Sequence, residues 1–372
     1  MPTPGGSTDL VSDDLESMSH QLAGELPALE GRRVVISGGA GFLGFYLVRA
    51  LLHWNDAGAR ERIDVSVLDN FSRGAPRWLA DLAGRDDLHV FEHDVTDALP
   101  EGFGPHHYVV HAASIASPVH YRRHPIETMD ANVGGLRRLL DWSLAARETL
   151  DPVEGLLFFS SSEIYGDATP DAIPTPETYP GRVSCTGPRA CYDESKRYGE
   201  TLCVNFVRAH GLPVKIARPF NNYGPGLALS DGRALPDFVR NVLAGEDVAL
   251  LSDGSPTRTF CYVADAVVGY LKVLVRGRPG EAYNIGSEAP EVSVRGLAEL
   301  VVELARELWG YAGRARCARS EDRDYLVDNP QRRCPLIRKA RQELGYQPSV
   351  ELREGVRRSL LWYREHAEGA ER

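Results

Sequence analysis

The chain has 372 residues, of which 43% are hydrophobic and 25% charged, with a net charge of −10. These are the proportions of a globular protein, and an acidic balance without a Lys/Arg tract argues against a nucleic-acid or anionic-membrane surface. No run of about 18 apolar residues occurs, so no transmembrane helix is predicted, and the start lacks the pattern of a secretory signal, which points to the cytoplasm.

Residues 1–31 hold Pro, Gly, Ser and six acids, with no Lys or Arg before Gly31. That composition predicts a flexible tail, although Leu15, Met18 and Leu22 have helical spacing. Regular structure is expected from Arg32. Residues 32–37 read as a buried parallel strand, 38–44 as a glycine turn and 45–52 as a helix. Further strands are predicted at 64–68, 89–91, 108–111, 155–159 and 214–217, with an amphipathic helix over 136–146. Strands alternating with helices imply an α/β fold, a Rossmann-type doubly wound parallel sheet that binds ligands at its carboxyl ends. After residue 220 the alternation loosens. The expected division is a nucleotide-binding domain over 32–220 with a return segment near 256–277, and a smaller substrate-binding lobe from 221–255 and 278–365. Six cysteines occur without a C-x-x-C pair, and no His pair has zinc spacing, so reduced thiols and no metal site are expected.

The turn Gly38-Gly39-Ala40-Gly41-Phe42-Leu43-Gly44 between strand and helix lets backbone N–H groups approach a pyrophosphate. Asp69 closes the next strand, where a carboxylate accepts from an adenosine ribose and disfavours a 2′-phosphate. This favours NAD over NADP, with Arg73 pulling slightly the other way. Asp94 and Val95, at the third strand end, would flank the adenine.

Tyr192 and Lys196 form Y-x-x-x-K, which on a helix places both on one face. Only four of the 42 basic residues are lysine, so a lysine here draws attention to its amine. An ammonium one turn away lowers a phenol pKa, and the phenolate can then take a proton from a sugar hydroxyl as hydride leaves the carbon. Ser161, at the end of the fifth strand, completes the set.

The segment Gly187-Pro188-Arg189-Ala190-Cys191-Tyr192-Asp193-Glu194-Ser195-Lys196-Arg197 carries a resemblance. So do Val67-Leu68-Asp69-Asn70-Phe71, Ser161-Ser162-Glu163-Ile164-Tyr165-Gly166, Asn221-Asn222-Tyr223-Gly224-Pro225, Asp231-Gly232-Arg233 and Thr257-Arg258-Thr259-Phe260. From about Arg32 to Glu365 the chain resembles the extended short-chain dehydrogenases/reductases that act on nucleotide sugars, and most of all their UDP-glucuronic acid decarboxylase (UDP-xylose synthase) group. The resemblance implies bound NAD, a UDP-sugar substrate and a homodimer. It adds Asn70, Phe71, Ser72, Ala112, Ala113, Ser114 and Asn222 to the cofactor contacts, and Tyr121, Asn221, Arg233, Tyr325 and Arg333 to the substrate contacts.

Similar 4,6-dehydratases carry an Asp-Glu pair where this chain has Ser162-Glu163, and similar 4-epimerases generally lack the Glu. Serine is a poor general acid, so the pattern favours decarboxylation, with nucleotide-sugar 4-epimerase or 4,6-dehydratase activity as the alternatives. Glu163 and Arg258 are expected as partners, with Arg258 lying between Glu163 and the substrate carboxylate. In similar enzymes the same Arg contacts the diphosphate, and a planar guanidinium suits either anion. The chain departs from the family at Asp130, where many members have Lys, at Ile115 in place of Pro, and at Leu336 in place of Asp. All three bear on the grip on the sugar.

Overall fold

Seven short apolar runs pair edge to edge in a computed structural model that describes residues 9–100, 103–147, 151–318, 320, 322, 324 and 326–366. They are β1 (Arg33–Ser37), β2 (Asp64–Asp69), β3 (Leu88–Glu92), β4 (Tyr108–His111), β5 (Gly155–Phe159), β6 (Val214–Pro219) and β7 (Ala282–Ile285). Their order in the sheet is β7-β6-β5-β4-β1-β2-β3, and every pairing is parallel. Side chains alternate between two cores, as a pleated strand requires. Val34, Ile36, Val65, Val67 and Leu157 enter one, while Val35, Leu68, Leu156, Phe158 and Ile216 enter the other. Burial on both faces is why the central strands read as continuous apolar runs rather than alternating ones, while β3, at the edge, is mostly exposed.

Helices cover both faces. They are α1 (Leu10–Gln21), α2 (Phe42–Asp56), α3 (Leu136–Ala146), α4 (Ala190–His210), α5 (Ala234–Leu243), α6 (Val263–Arg276), α7 (Val294–Trp309) and α8 (Leu352–Glu365). The six predicted strands and the two predicted helices all form. The seventh strand corrects the division of the chain, because 282–285 belongs to the sheet and not to the second lobe. It was missed because four residues, one of them Asn284, are too short a stretch to show a strand's periodicity.

The acidic N-terminal segment is the larger correction. Met18, Leu22, Leu26 and Leu29 are buried in the same core as α2 and α6. Asp14 is buried and accepts hydrogen bonds from Tyr46 (2.7 Å), Tyr262 (2.6 Å) and Arg358 (2.6 Å). Glu25, also buried, accepts from Lys272 at 3.1 Å and Arg276 at 3.0 Å. From residue 10 onward the segment is therefore a packed brace. Its counter-ions lie more than 200 positions away, so local composition could not reveal them.

β1 pairs with β2 on one side and β4 on the other. At that reversal the connections diverge to opposite faces of the sheet, opening a crevice above the strand ends.

Candidate active site

A cleft of about 950 Å³ opens at the carboxyl ends of β1, β2, β4 and β5, closed on the far side by residues 219–236 and 256–260. The glycine turn forms its floor. Gly38 sits at φ +73°, and a Cβ there would come 2.5 Å from the backbone nitrogen of Ala113; a Cβ on Gly44 would meet the Gly39 carbonyl at 2.0 Å. Both must be glycine for the turn to close against β4 and for α2 to start. Gly41 caps α2 without a side-chain acceptor, so the first-turn N–H groups face the cleft. Asp69 accepts from the backbone N–H of Ala40 (3.0 Å) and Phe71 (2.9 Å), which ties the two loops together. Ser114 Oγ and Asn222 Oδ1 are buried without a hydrogen-bond partner among the described residues, and both residues line the cleft. Open N–H groups, a ribose-height carboxylate and orphaned polar atoms along one wall fit a dinucleotide.

Tyr192 and Lys196 lie one turn apart on α4, both buried. α4 lies close to β5 because Gly199 replaces a side chain; a Cβ there would sit 2.4 Å from Phe158. Lys196 Nζ donates to the Phe159 carbonyl at 2.8 Å. Burial pushes the Tyr192 phenol up to about 12, opposed by a hydrogen bond with Ser161, and pushes the Lys196 ammonium down to about 7. Tyr121 stacks on Tyr192, with ring centroids 5.1 Å apart and planes 12° apart. Its hydroxyl is buried without a partner among the described residues.

A model of the NAD-dependent epimerase/dehydratase family matches residues 34–286. The chain belongs to that family. UDP-glucuronic acid decarboxylase 3 of Arabidopsis thaliana is 37% identical over 324 residues, 87% of this chain and 86% of that one. UDP-glucuronic acid decarboxylase 1 of Xenopus tropicalis is 35% identical, over 91% of this chain and 73% of that one. Among solved structures, a Thermotoga maritima UDP-glucose 4-epimerase with UDP-glucose matches at TM-score 0.75 and 27% identity, over 90% of this chain and 99% of its own. A Streptomyces venezuelae dTDP-glucose 4,6-dehydratase with NAD bound matches at 0.77 and 29%, over 90% and 98%.

This family member brings nearly all of its predicted site residues to the one cleft. Gly38, Gly41, Phe42, Leu43, Asp69, Asn70, Ser72, Arg73, Asp94, Val95, Ala112, Ala113, Ser114, Tyr121, Ser161, Glu163, Tyr192, Lys196, Asn221, Asn222, Arg233, Arg258 and Arg333 all line it. Gly44 and Phe71 stand behind the wall; Phe71 adopts φ +47° and packs toward the core. Tyr325 lies outside the described residues.

The Glu163–Arg258 pairing is not what forms. Glu163 is clamped by Arg189 and by both terminal nitrogens of Arg333. Arg258 instead donates to the carbonyls of Thr257 (2.8 Å), Gln331 (3.2 Å) and Pro330 (2.5 Å), and no carboxylate pairs with it among the described residues. Burial and the nearby Arg333 lower its pKa to about 9. The two guanidiniums overcome burial and hold Glu163 well below the usual carboxylate range. Asp193, buried beside this pair, is raised by burial first and by the Glu163 charge second. Arg189 is the residue that sequence reasoning missed. Its signal was position, three residues before Tyr192 in the most distinctive segment of the chain.

Proposed function

We propose that this chain decarboxylates UDP-glucuronic acid through a 4-keto intermediate formed as NAD is reduced, giving UDP-xylose where the NADH is reoxidised on the intermediate, or UDP-4-keto-xylose where the ketone leaves and NADH remains. One observation carries the choice within the family. Glu163 is held ionised between Arg189 and Arg333 next to Tyr192, and Ser162 offers no acid to expel a hydroxyl. The curated decarboxylases that match most of the chain support the same reading.

Tyr192 takes the proton of the sugar O4. Bound NAD supplies the C4 hydride acceptor, a positive ring charge beside the phenol, and the hydride for the last step. That external charge has work to do, because burial alone leaves Tyr192 protonated. Oxidation at C4 turns the substrate into a β-keto acid. The bond from C5 to the carboxylate breaks, carbon dioxide leaves, and the electron pair moves to the C4 oxygen as an enolate. Tyr192 and Ser161 can donate hydrogen bonds to that oxygen. The enolate returns to the ketone as C5 takes a proton from a water that Glu163, fixed as a carboxylate, orients by accepting its hydrogen bond. The hydroxide left behind is reprotonated from solvent, and Glu163 donates no proton of its own. Arg189, Arg258 and Arg333 outnumber Glu163 on this wall, a balance that suits a carboxylated sugar or its diphosphate.

A second copy of the chain is part of this proposal, as is a cytoplasmic setting. No helix among the described residues is long and apolar enough to cross a membrane. The decisive experiment incubates purified protein and NAD with UDP-glucuronate and follows carbon dioxide, product mass and, because C4 epimers share a mass, chromatographic retention against standards. Loss of 44 mass units from the sugar nucleotide, or of 46 with the 4-ketone retained, is about what decarboxylation requires by the enzyme chemistry above. A UDP-galacturonate product without carbon dioxide would make the chain an epimerase.

A further inference from the structure

The cleft has two walls that belong to different parts of the fold. Arg73, on the loop after β2, belongs to the nucleotide-binding wall. The turn Leu229–Asp231, followed by Gly232 and Arg233 at the start of α5, belongs to the opposite one. Asp231 is only 2% exposed, yet its carboxylate has a cation on each side. Arg73 Nη1 lies 3.5 Å from Oδ2 and Arg233 Nε lies 2.9 Å from Oδ1. The second contact lies off the hydrogen-bond axis, and Oδ1 is buried without an aligned donor among the described residues. The hold on both guanidiniums is therefore ionic.

The turn itself is rigid. The Asp231 carbonyl accepts from the Ser117 hydroxyl, and Arg240 donates to the Leu229 carbonyl at 2.9 Å. Gly232 adopts φ +79°, and a Cβ there would come 2.8 Å from Val119. A buried carboxylate on a fixed turn, facing two partly exposed guanidiniums, sets where those guanidiniums point. Arg73 is half-exposed, and an ion pair of that kind adds little to stability, so its consequence is expected in binding.

We propose that Asp231 is a positioning residue that latches the cleft: it aims Arg233 at the bound ligands and draws Arg73 across from the nucleotide wall, keeping Arg73 from receiving a 2′-phosphate. The Arg233 arm rests on the reading of this cleft as a sugar-nucleotide site. The Arg73 arm needs only the dinucleotide site. It also explains how an Arg four positions after Asp69 coexists with a preference for NAD. The guanidinium that could meet a phosphate there is committed to a carboxylate on the other wall.

The test compares Asp231→Asn, Arg73→Ala and the double variant. NAD and NADP dissociation constants are measured on the stripped protein, and KM and kcat with UDP-glucuronate. Asp231→Asn should shift relative affinity toward NADP by about fivefold or more, and Arg73→Ala in the same background should abolish that gain, a coupling typical of residues in contact. KM should rise about tenfold in Asp231→Asn with kcat changed by less than about threefold, the split expected when a binding contact is lost. An unmoved NADP/NAD ratio in Asp231→Asn, or effects of the two substitutions that simply add, would overturn the latch. If Asp231→Asn does not fold, Arg73→Ala alone decides: a latched Arg73 does not reach the 2′-phosphate, so the variant should keep the wild-type NADP/NAD ratio, and a fall in NADP affinity would refute the latch. If the wild type releases no carbon dioxide from UDP-glucuronate, the proposed function fails while the cofactor measurements still judge the latch.

Discussion

At the scale of single residues, the site is governed by what burial does to charge. Tyr192 and Lys196 face opposite shifts from the same cause, since a dry environment disfavours phenolate and ammonium alike. Tyr192→Phe should abolish carbon dioxide release while NAD affinity stays near wild type, checked by product assay and cofactor titration; normal turnover would remove Tyr192 as the base. Lys196 gives a pH signature. Its pKa falls from the ordinary lysine range to about 7 in the folded chain, so the penalty for burying the ammonium is absent above about pH 10. It grows as the pH drops and is complete below about 7. In the stripped protein, Lys196→Met should therefore gain stability relative to wild type as pH falls across that window, read from denaturant midpoints. A difference that does not change with pH would mean the ammonium is not desolvated. Glu163→Ala should slow protonation at C5, and with it product formation, by about 100-fold, the scale for losing a group that positions a proton transfer. It should also cost stability, because Arg333 would keep its buried charge without a carboxylate and Arg189 would be left with only Asp193 at 3.9 Å.

At the scale of elements, the N-terminal brace makes the sharpest claim. α1 lies against α2, which begins at the glycine turn, and against α6. Through Asp14 it reaches Tyr46 on α2, Tyr262 just before α6 and Arg358 on α8. Asp14→Ala would strand two phenols in the core and take from Arg358, which keeps Glu354 at 2.8 Å, its buried partner. Removing one partner of a buried charged network costs about 3–5 kcal/mol, so the urea midpoint should fall far enough to measure without loss of the α/β far-UV spectrum. A midpoint within error of wild type would return the segment to the status of a tail. Burial raises the Asp14 pKa against the pull of its three partners. The carboxylate is thus held at a cost that only the fully assembled contact offsets.

At the scale of the whole molecule, the cleft exists because two parts of the chain meet over the sheet's reversal point. Ligand binding should therefore report on global stability. A ligand at about 100 times its dissociation constant adds about 2.7 kcal/mol to unfolding. NAD should raise the melting temperature of stripped protein accordingly, and NADP at equal concentration much less, given Asp69 at the ribose end. Equal shifts from the two cofactors would contradict the role of Asp69.

The sequence by itself determined the strand–turn–helix start, the two-sided parallel sheet and the Y-x-x-x-K pair. Each depends on local steric or periodic requirements: glycine where a Cβ would strike Ala113 or Gly39, apolar runs where both faces are covered, and i,i+4 spacing on α4. Family membership was legible for the same reason, since its motifs are short and local. Only the tertiary structure decided which charges pair. Glu163 could have met Arg258, Arg189 or Arg333, all cationic and all distant in sequence except Arg189, and the fold gave it the last two. Asp14 and Glu25 likewise read as acids of a tail until their cations arrive from the far end of the chain, and Arg73 reaches Asp231 only across the cleft. Ion pairs act over a few ångströms in space and carry no sequence period, so nothing along the chain announces them.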